Sequence, residues 1–446
     1  LRADNDSLRF TVGSSFQTES VSSKSGIVTV EDFTSPLIRV FDITNPNAPI
    51  EVAGKISDAN GKYSVTIETQ DSASRTFLAI TADKIKNPLS MQANQPSNLK
   101  NPSNQADMII IAHSSLLSSV APLKAMREAQ RLSVTVVDVE DVYDEFNFGE
   151  KSPKAIRDFL QAVAQTWKKT PRFVLLVGDA TLDPKRYLGG GDFDLVPTRL
   201  LDTTYLETAS DDWFTDFNND GVADIPTGRL PVRTSDEASK FIAKLVAYER
   251  PSVSMKRKAL MVADRNDGFD FENATSQLGA LLPPGTTIQE LFRSKTTDVD
   301  LSAAITEAIN SGVSVVNFAG HGSTALWRGS ILDVQKARAL QNGQALPLII
   351  SMTCLNGYFI DPAVESLAEA LLNAEGGGAV AVWASSALTD PKQQAAVNQE
   401  LYRQLFNAKG QSLTIGEAAV RAKAATGNLD IRQTWLLFAD PATRIK

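Results

Sequence analysis

Cysteine is almost absent from this chain: its 446 residues hold one, Cys354, and histidine is nearly as scarce, with only His113 and His321. A single cysteine excludes an intramolecular disulfide, so cysteine usage carries no compartment signal. It also leaves few ways to assemble a thiol–imidazole pair. No stretch approaches the roughly 18 consecutive apolar residues of a membrane span. Positive charge is short as well: 44 Lys and Arg against 52 Asp and Glu leave a net charge of −8 and a pI near 5.1. That balance excludes the basic footprint of a nucleic-acid binder. An initiator methionine and a signal peptide are missing too, and Leu1 reads as the start of a mature or excised fragment.

What is present is ordinary globular material, 43% hydrophobic and 22% charged, enough to bury large cores. A length prior of about 150 residues per domain predicts two to three domains. Residues 1–95 alternate strand-like runs (8–12, 26–30, 37–41 and 63–67) with Asn-Pro-Asn and Asn-Gly turns, the pattern of a small β-sandwich serving as scaffold or pro-region. A segment rich in Asn, Pro, Ser and Gln occupies 91–106, with 96–106 as the linker proper. From Asp107 strand and helix patterns alternate, which predicts an α/β architecture of doubly wound, mostly parallel sheets. Two similar halves, 107–251 and 252–446, meet at the Arg250-Pro251 break. The first carries strands near 107–112, 133–139 and 172–178, and helices near 117–131, 152–168 and 235–249. The second carries strands near 258–262, 286–292, 313–319, 346–353, 378–384 and 434–438.

His321 follows the apolar run Val315–Ala319, and Cys354 follows Leu348–Thr353. In open α/β sheets ligands and chemistry collect at the carboxyl ends of strands. Two reactive side chains after two consecutive strands therefore point to a cysteine nucleophile and its general base. Gly320 and Gly322 remove bulk beside the imidazole, and the Gly322 N–H is free to approach a substrate closely. With the Cys354 N–H it is a candidate donor to an oxyanion. Taken alone, a cysteine after an apolar run is a buried hydrophobe and a histidine a structural residue; His113 is read that way.

At these residues the chain resembles the gingipain-like cysteine peptidases of the caspase-like clan. The likeness extends through Asp107–His113, Asp144–Leu160, Val174–Asp179, Thr227–Val232 and Phe438–Ala442, in family order over roughly residues 105–446. It implies a caspase-like fold in the two halves, Cys354 as nucleophile, His321 as base and Asp224 as an acidic third residue. It implies an endopeptidase with a thioester acyl-enzyme, acting on protein or peptide substrates, secreted or at the bacterial cell surface. A sortase-like transpeptidase at that surface and a catalytically silent binding scaffold stay open as alternatives, as does the oligomeric state. Trypsin-like gingipains cleave after Arg or Lys, a preference that nothing in the dyad itself carries over.

Asp216 to Asp224 holds oxygen donors at the offsets of an EF-hand-type calcium loop: Asp216, Asn218, Asp220, the Val222 carbonyl and Asp224, with Gly221 at the turn. Thr227 stands where a bidentate Glu is expected, and a plain Asp/Asn/Gly turn is the competing reading. No cofactor is expected to be required for the chemistry itself. Near Cys354, Ser385, Ser386 and Asp390 follow the next strand. Asp390 either selects a basic residue on the carbonyl side of the cleaved bond (P1) or caps a helix before Pro391. The glycine triplets 189–191 and 376–378 lack the surroundings of phosphate loops and read as turns.

Overall fold

Short β-branched runs bounded by Asn, Gly and Pro dominate the first 95 residues, and they form strands. The computed structural model describes residues 1–13, 26–69, 74–87, 94–250, 257–406 and 413–446. Pro251 and residues 91–93 of the Asn/Pro-rich segment lie outside them. The chain divides into two compact units, 1–95 and 96–446.

The first unit holds β1 (Ser7–Val12), β2 (Gly26–Phe33), β3 (Ile38–Asp42), β4 (Ile50–Val52), β5 (Lys55–Ala59), β6 (Lys62–Thr69) and β7 (Arg75–Thr81). They pair antiparallel in two sheets, β1-β7-β3-β4 and β2-β6-β5. Asn60 and Gly61 both take positive φ, 55° and 78°, the turn that matches the twist of the β5–β6 hairpin. Val30, Val65 and Ile67 of one sheet share a core with Ile38, Val40, Phe77 and Ala79 of the other. That shared core is what makes the unit a β-sandwich.

In the second unit, β8 (Met108–Ala112), β9 (Val134–Asp138), β10 (Phe173–Val177) and a fourth strand form a parallel sheet; β11 (Arg199–Asp202) and β12 (Glu207–Ser210) make a separate hairpin. The fourth strand is β13 (Thr227–Leu230), and the order is β13-β10-β8-β9. Helices α1 (Ala121–Ala129), α2 (Val139–Asn147), α3 (Pro153–Thr166) and α4 (Ser235–Glu249) accompany it. Neither β13 nor α2 is among the expected elements. β13 reads Thr-Gly-Arg-Leu, and its charged residue is buried: Arg229 forms a bidentate pair with Asp211 at 2.6 and 2.8 Å and donates to the carbonyls of Gly178 and Val196. Helix α2 is acidic and follows β9 directly, its start marked only by Asp138, the last strand residue, which caps it by accepting the Glu140 N–H at 3.0 Å.

The strands of the second sheet are β14 (Lys258–Ala263), β15 (Thr287–Phe292), β16 (Val315–Ala319), β19 (Leu348–Met352), β20 (Ala381–Ser385) and β21 (Trp435–Phe438). Their order is β15-β14-β16-β19-β20-β21, and all pairs are parallel except β20 with the edge strand β21. Between β16 and β19 the hairpin of β17 (Gly322–Ser323) and β18 (Leu326–Trp327) rises from the edge. Helices α5 (Phe271–Gly279), α6 (Asp298–Asn310), α7 (Val334–Arg338), α8 (Leu367–Asn373) and α9 (Pro391–Phe406) alternate with these strands. Of them, α5 after β14 and α9 after β20 flank the chain segments that leave β16 and β19. The sheets meet where β13 approaches the chain beyond β21; a Cβ on Gly228 would lie 2.3 Å from the Ala439 carbonyl oxygen, so only glycine fits there.

Candidate active site

β16 and β19 are neighbours, and Ala319 of one pairs with Met352 of the other. His321 and Cys354 each lie two residues further on, so the register delivers both to one carboxyl edge. The ladder continues one step, with the Gly320 N–H donating to the Met352 carbonyl at 3.2 Å. Gly320 is required by space: a Cβ there would stand 2.4 Å from Cβ of Asp264. At Gly322 a Cβ would lie 2.8 Å from Oγ1 of Thr353, the residue before the cysteine. Bare glycines thus let the His321 segment close on both of its neighbours.

His321 is held at its backbone and at its ring. Buried Asp264, just past β14, accepts the His321 N–H at 3.2 Å through Oδ2, while its Oδ1 takes Arg293 at 3.0 Å. On the ring, Nε2 stands 3.0 Å from Oδ1 of Asp267, whose other oxygen accepts from Arg328 at 2.8 Å. The Arg328 N–H in turn donates to the His321 carbonyl at 2.8 Å, closing the loop. Hydrogen bonding to His321, reinforced by Arg328, holds the Asp267 carboxyl below its usual range. The ring edge packs on Phe271 of α5 with centroids 5.4 Å apart.

The cysteine sulfur is anchored differently. Sγ of Cys354 lies 3.5 Å from the Thr389 amide nitrogen and 3.8 Å from its carbonyl, in the segment that enters α9. Burial pushes the thiol up, so the resting sulfur is protonated at neutral pH. Leu355 next to it takes φ of 62°, a left-handed conformation that costs a non-glycine residue about 1–2 kcal/mol. Asn356 offsets that strain. Its amide donates to the Ser323 carbonyl at 2.6 Å and its Oδ1 accepts from the Trp327 indole at 2.9 Å. One buried side chain therefore ties the cysteine turn to the hairpin after the histidine.

The carboxylate on the imidazole is Asp267, not the expected Asp224. Asp224 lies ahead of β13 in the other sheet, where its Oδ2 accepts the Phe217 N–H at 2.9 Å. Its offset along the chain from Gly228-Arg229 suggested it, and offset carries no information about which sheet edge a residue reaches. Asp267, Asp264, Asn356 and Thr389 were missed. A signal existed for the first two, since Asp264 ends an apolar strand run and Asp267-Gly268 is a turn pair at that strand's carboxyl end. Gly322 opens the β17–β18 hairpin directly after His321.

The 216–224 loop is organised by its own oxygens. Asp216 accepts the Asp220 and Gly221 N–H groups at 3.1 and 2.9 Å, Asn218 accepts Asp220 at 2.9 Å, and Asp220 accepts Val222 at 2.8 Å. Gly221 turns the chain with φ of 84°. Among the described residues, no group of three or more His, Cys, Asp or Glu side chains is gathered as a metal ion would need. Asp390 caps α9, accepting the Lys392 and Gln393 N–H groups at 2.9 and 3.2 Å, and Ser385 and Ser386 are buried. His113 caps a short turn through Ser115, its Nδ1 2.8 Å from the hydroxyl.

Comparison with known proteins frames this geometry. The sequence model of Peptidase family C25 matches residues 101–446. Gingipain R2 of Porphyromonas gingivalis is 24% identical over 321 residues, 66% of this chain and 41% of that protein. Lys-gingipain W83 of the same species is 26% identical over 205 residues, 44% of this chain and 11% of that protein. The chain thus spans less than half the length of the curated relatives it matches. Among solved structures, the Arg-specific cysteine proteinase gingipain R superimposes with a TM-score of 0.64 at 22% identity, over 79% of this chain and 80% of that one. Dimeric latent PorU from Porphyromonas gingivalis gives 0.52 at 17% identity, over 100% of this chain and 40% of that one. Likeness at these identities shows the fold, α/β and caspase-like. Among the described residues no helix is long and apolar enough to cross a membrane.

Proposed function

The chain belongs to Peptidase family C25, a family of cysteine-type peptidases, and we propose that residues 96–446 carry a cysteine endopeptidase with Cys354 as nucleophile and His321 as base. One observation carries the reading: a thiol and a carboxylate-bound imidazole follow adjacent parallel strands, and Asn356 ties the turn after the cysteine to the hairpin after the histidine. Because burial keeps the thiol protonated, His321 removes its proton as the sulfur attacks, rather than holding a preformed ion pair. The new C–S bond forms at the substrate carbonyl. The C–N bond then breaks as the imidazolium returns its proton to the leaving amine, leaving a thioester. Water, deprotonated by His321, attacks that thioester, the C–S bond breaks and the thiol is regenerated. Asp267 orients the ring and stabilises the imidazolium. The Gly322 and Cys354 N–H groups are the proposed oxyanion donors, each worth about 2.7–4 kcal/mol of barrier.

Alkylation by iodoacetamide at neutral pH tests the reading. Cys354 is expected to react in the native protein at a rate that His321→Ala lowers; labelling only after denaturation would make the chain a binding scaffold. Product analysis with an added amine distinguishes hydrolysis from transpeptidation, the expected product being the free acid. Secretion or display at the bacterial surface belongs to the same proposal, rests on the family resemblance, and is tested by fractionating the producing cell. A calcium ion at Asp216, Asn218, Asp220 and the Val222 carbonyl is a separate proposal, supported by the donor offsets and the Gly221 turn. It predicts a calcium-dependent rise in Tm of about 2–4 °C that Asp220→Asn removes; no shift would leave the loop a plain turn.

A further inference from the structure

Beside the dyad lies a cavity of about 150 Å³ whose inner end is formed by Ala319 and Met352, the residues two before His321 and Cys354. Its walls come from α5 and α9. Phe271 of the α5 wall is the ring that packs on the imidazole, and Pro391 of the α9 wall lies two residues after Thr389, which holds the sulfur. No residue lining the cavity is charged.

We propose that this cavity selects the P1 side chain and takes an uncharged one of medium size, such as Gln, Met or Leu. The inference rests on the peptidase reading above. The cavity measures about 150 Å³, and a volume of this order holds a molecule as large as benzene, so a side chain of comparable size fits it. Polar character comes from amides alone. Buried Gln394 spends its N–H groups on the Thr389 carbonyl and hydroxyl at 3.1 and 2.9 Å. Buried Asn398 donates to Asn317 at 2.8 Å, yet its Oδ1 has no partner, nor has Nδ2 of Asn317. The lining thus mixes carbon with the amides of Gln277, Gln394, Asn398 and Gln399 and holds no ionised group. A neutral amide, able to donate and accept, is compatible with such a lining, as is an apolar side chain packed on its carbon. Arg or Lys would enter without a carboxylate to meet it and Asp or Glu without a cation, which leaves a buried charge unpaired.

Peptides that differ only at P1 test the assignment, with iodoacetamide labelling of Cys354 as a measure of the thiol that needs no side-chain pocket. Gln, Met or Leu at P1 is expected to exceed Arg, Lys, Asp and Glu by about 100-fold in kcat/KM. Gln277→Glu places a carboxylate on the exposed rim of the cavity and is expected to raise the Arg-to-Gln ratio about tenfold. Preference for Arg or Lys in the unaltered protein overturns the proposal, as does a charge-blind P1 profile. A Cys354 that labels natively while every peptide stays intact also overturns it and leaves the reactive thiol standing. A Cys354 that labels only on denaturation removes the peptidase reading, and the cavity's role with it.

Discussion

At the carboxyl edge of the first sheet, His113 and Asp179 follow β8 and β10; at that of the second, Asp264, His321 and Cys354 follow β14, β16 and β19. Both edges carry an imidazole and a buried carboxylate after parallel strands. In the first, each of these groups is spent on structure. His113 caps a turn, and fully buried Asp179 accepts Arg233 at 2.7 Å while Arg233 lies 3.8 Å from Glu369 of the second half. The guanidinium also stacks over Phe193, 3.8 Å from its centroid. In the second edge the buried carboxylate, Asp264, takes Arg293 and the backbone N–H of His321 but not its ring, which is left about 43% exposed with a second carboxylate of its own. A strand end is thus a place for chemistry only when the scaffold's needs are met by other groups.

The sharpest way to break this contrast is to remove the sulfur. Cys354→Ala is expected to lower kcat/KM by on the order of 10⁴-fold or more, and His321→Ala by a similar factor, since members of one catalytic unit fail together. Melting temperature should move by only a few degrees in either case. Retention of a tenth of the activity by Cys354→Ala would transfer the chemistry away from this edge.

Asp267→Asn is expected to lower kcat by about 10–100-fold with KM little changed, because the neutral amide no longer stabilises the imidazolium. The effect is smaller than for a buried triad carboxylate because Asp267 is about 41% exposed and shared with Arg328. Asp224→Asn should stay within about twofold. The opposite ranking would restore Asp224 as the partner of His321 and sink the pairing with Asp267.

Stability against pH sharpens the comparison from the other side. Burial raises Asp179 to about 6 and Glu369 above its usual range, with Asp179 adding to the rise at Glu369. A carboxyl raised in the folded state binds its proton there more tightly than in the unfolded chain. Its contribution to stability therefore falls as pH climbs from about 4 to about 6, and the loss is complete above that. For Asp179 it amounts to on the order of 2–3 kcal/mol. Asp179→Asn is expected to flatten this slope in melts recorded from pH 4 to 7. An unchanged slope would assign the titration to other groups.

The placement of His321 and Cys354 at neighbouring strand ends was legible because its signal is local: a reactive residue, an apolar run before it and glycines or turn residues around it. For the same reason the predicted strands match the observed ones within a residue or two at 107–112, 172–178, 313–319 and 434–438. The parts that failed to appear depend on tertiary neighbours. Asn356 is an ordinary turn residue until the hairpin at Ser323 and Trp327 is placed beside it. Asp267 is one carboxylate among 52 acidic residues until the turn before α5 sets it beside the ring. Strand β13 was not expected, and its Arg229 is buried there only because Asp211 pairs with the charge.

The smallest expected effect belongs to His113, the imidazole that occupies a strand end on the silent edge. Its ring nitrogen accepts the Ser115 N–H at 3.3 Å, an N-cap of a single turn. Loss of such a cap costs about 0.5–2 kcal/mol, and a single short turn stands at the low end. His113→Ala should therefore lower Tm by roughly 1–3 °C and leave kcat/KM unchanged. His113→Asn, which keeps a capping oxygen, should recover most of the lost stability. A tenfold loss of turnover in His113→Ala, with the Asn variant equally impaired, would mean that the first edge also acts on substrate. The contrast between a structural and a chemical imidazole would then have to be abandoned.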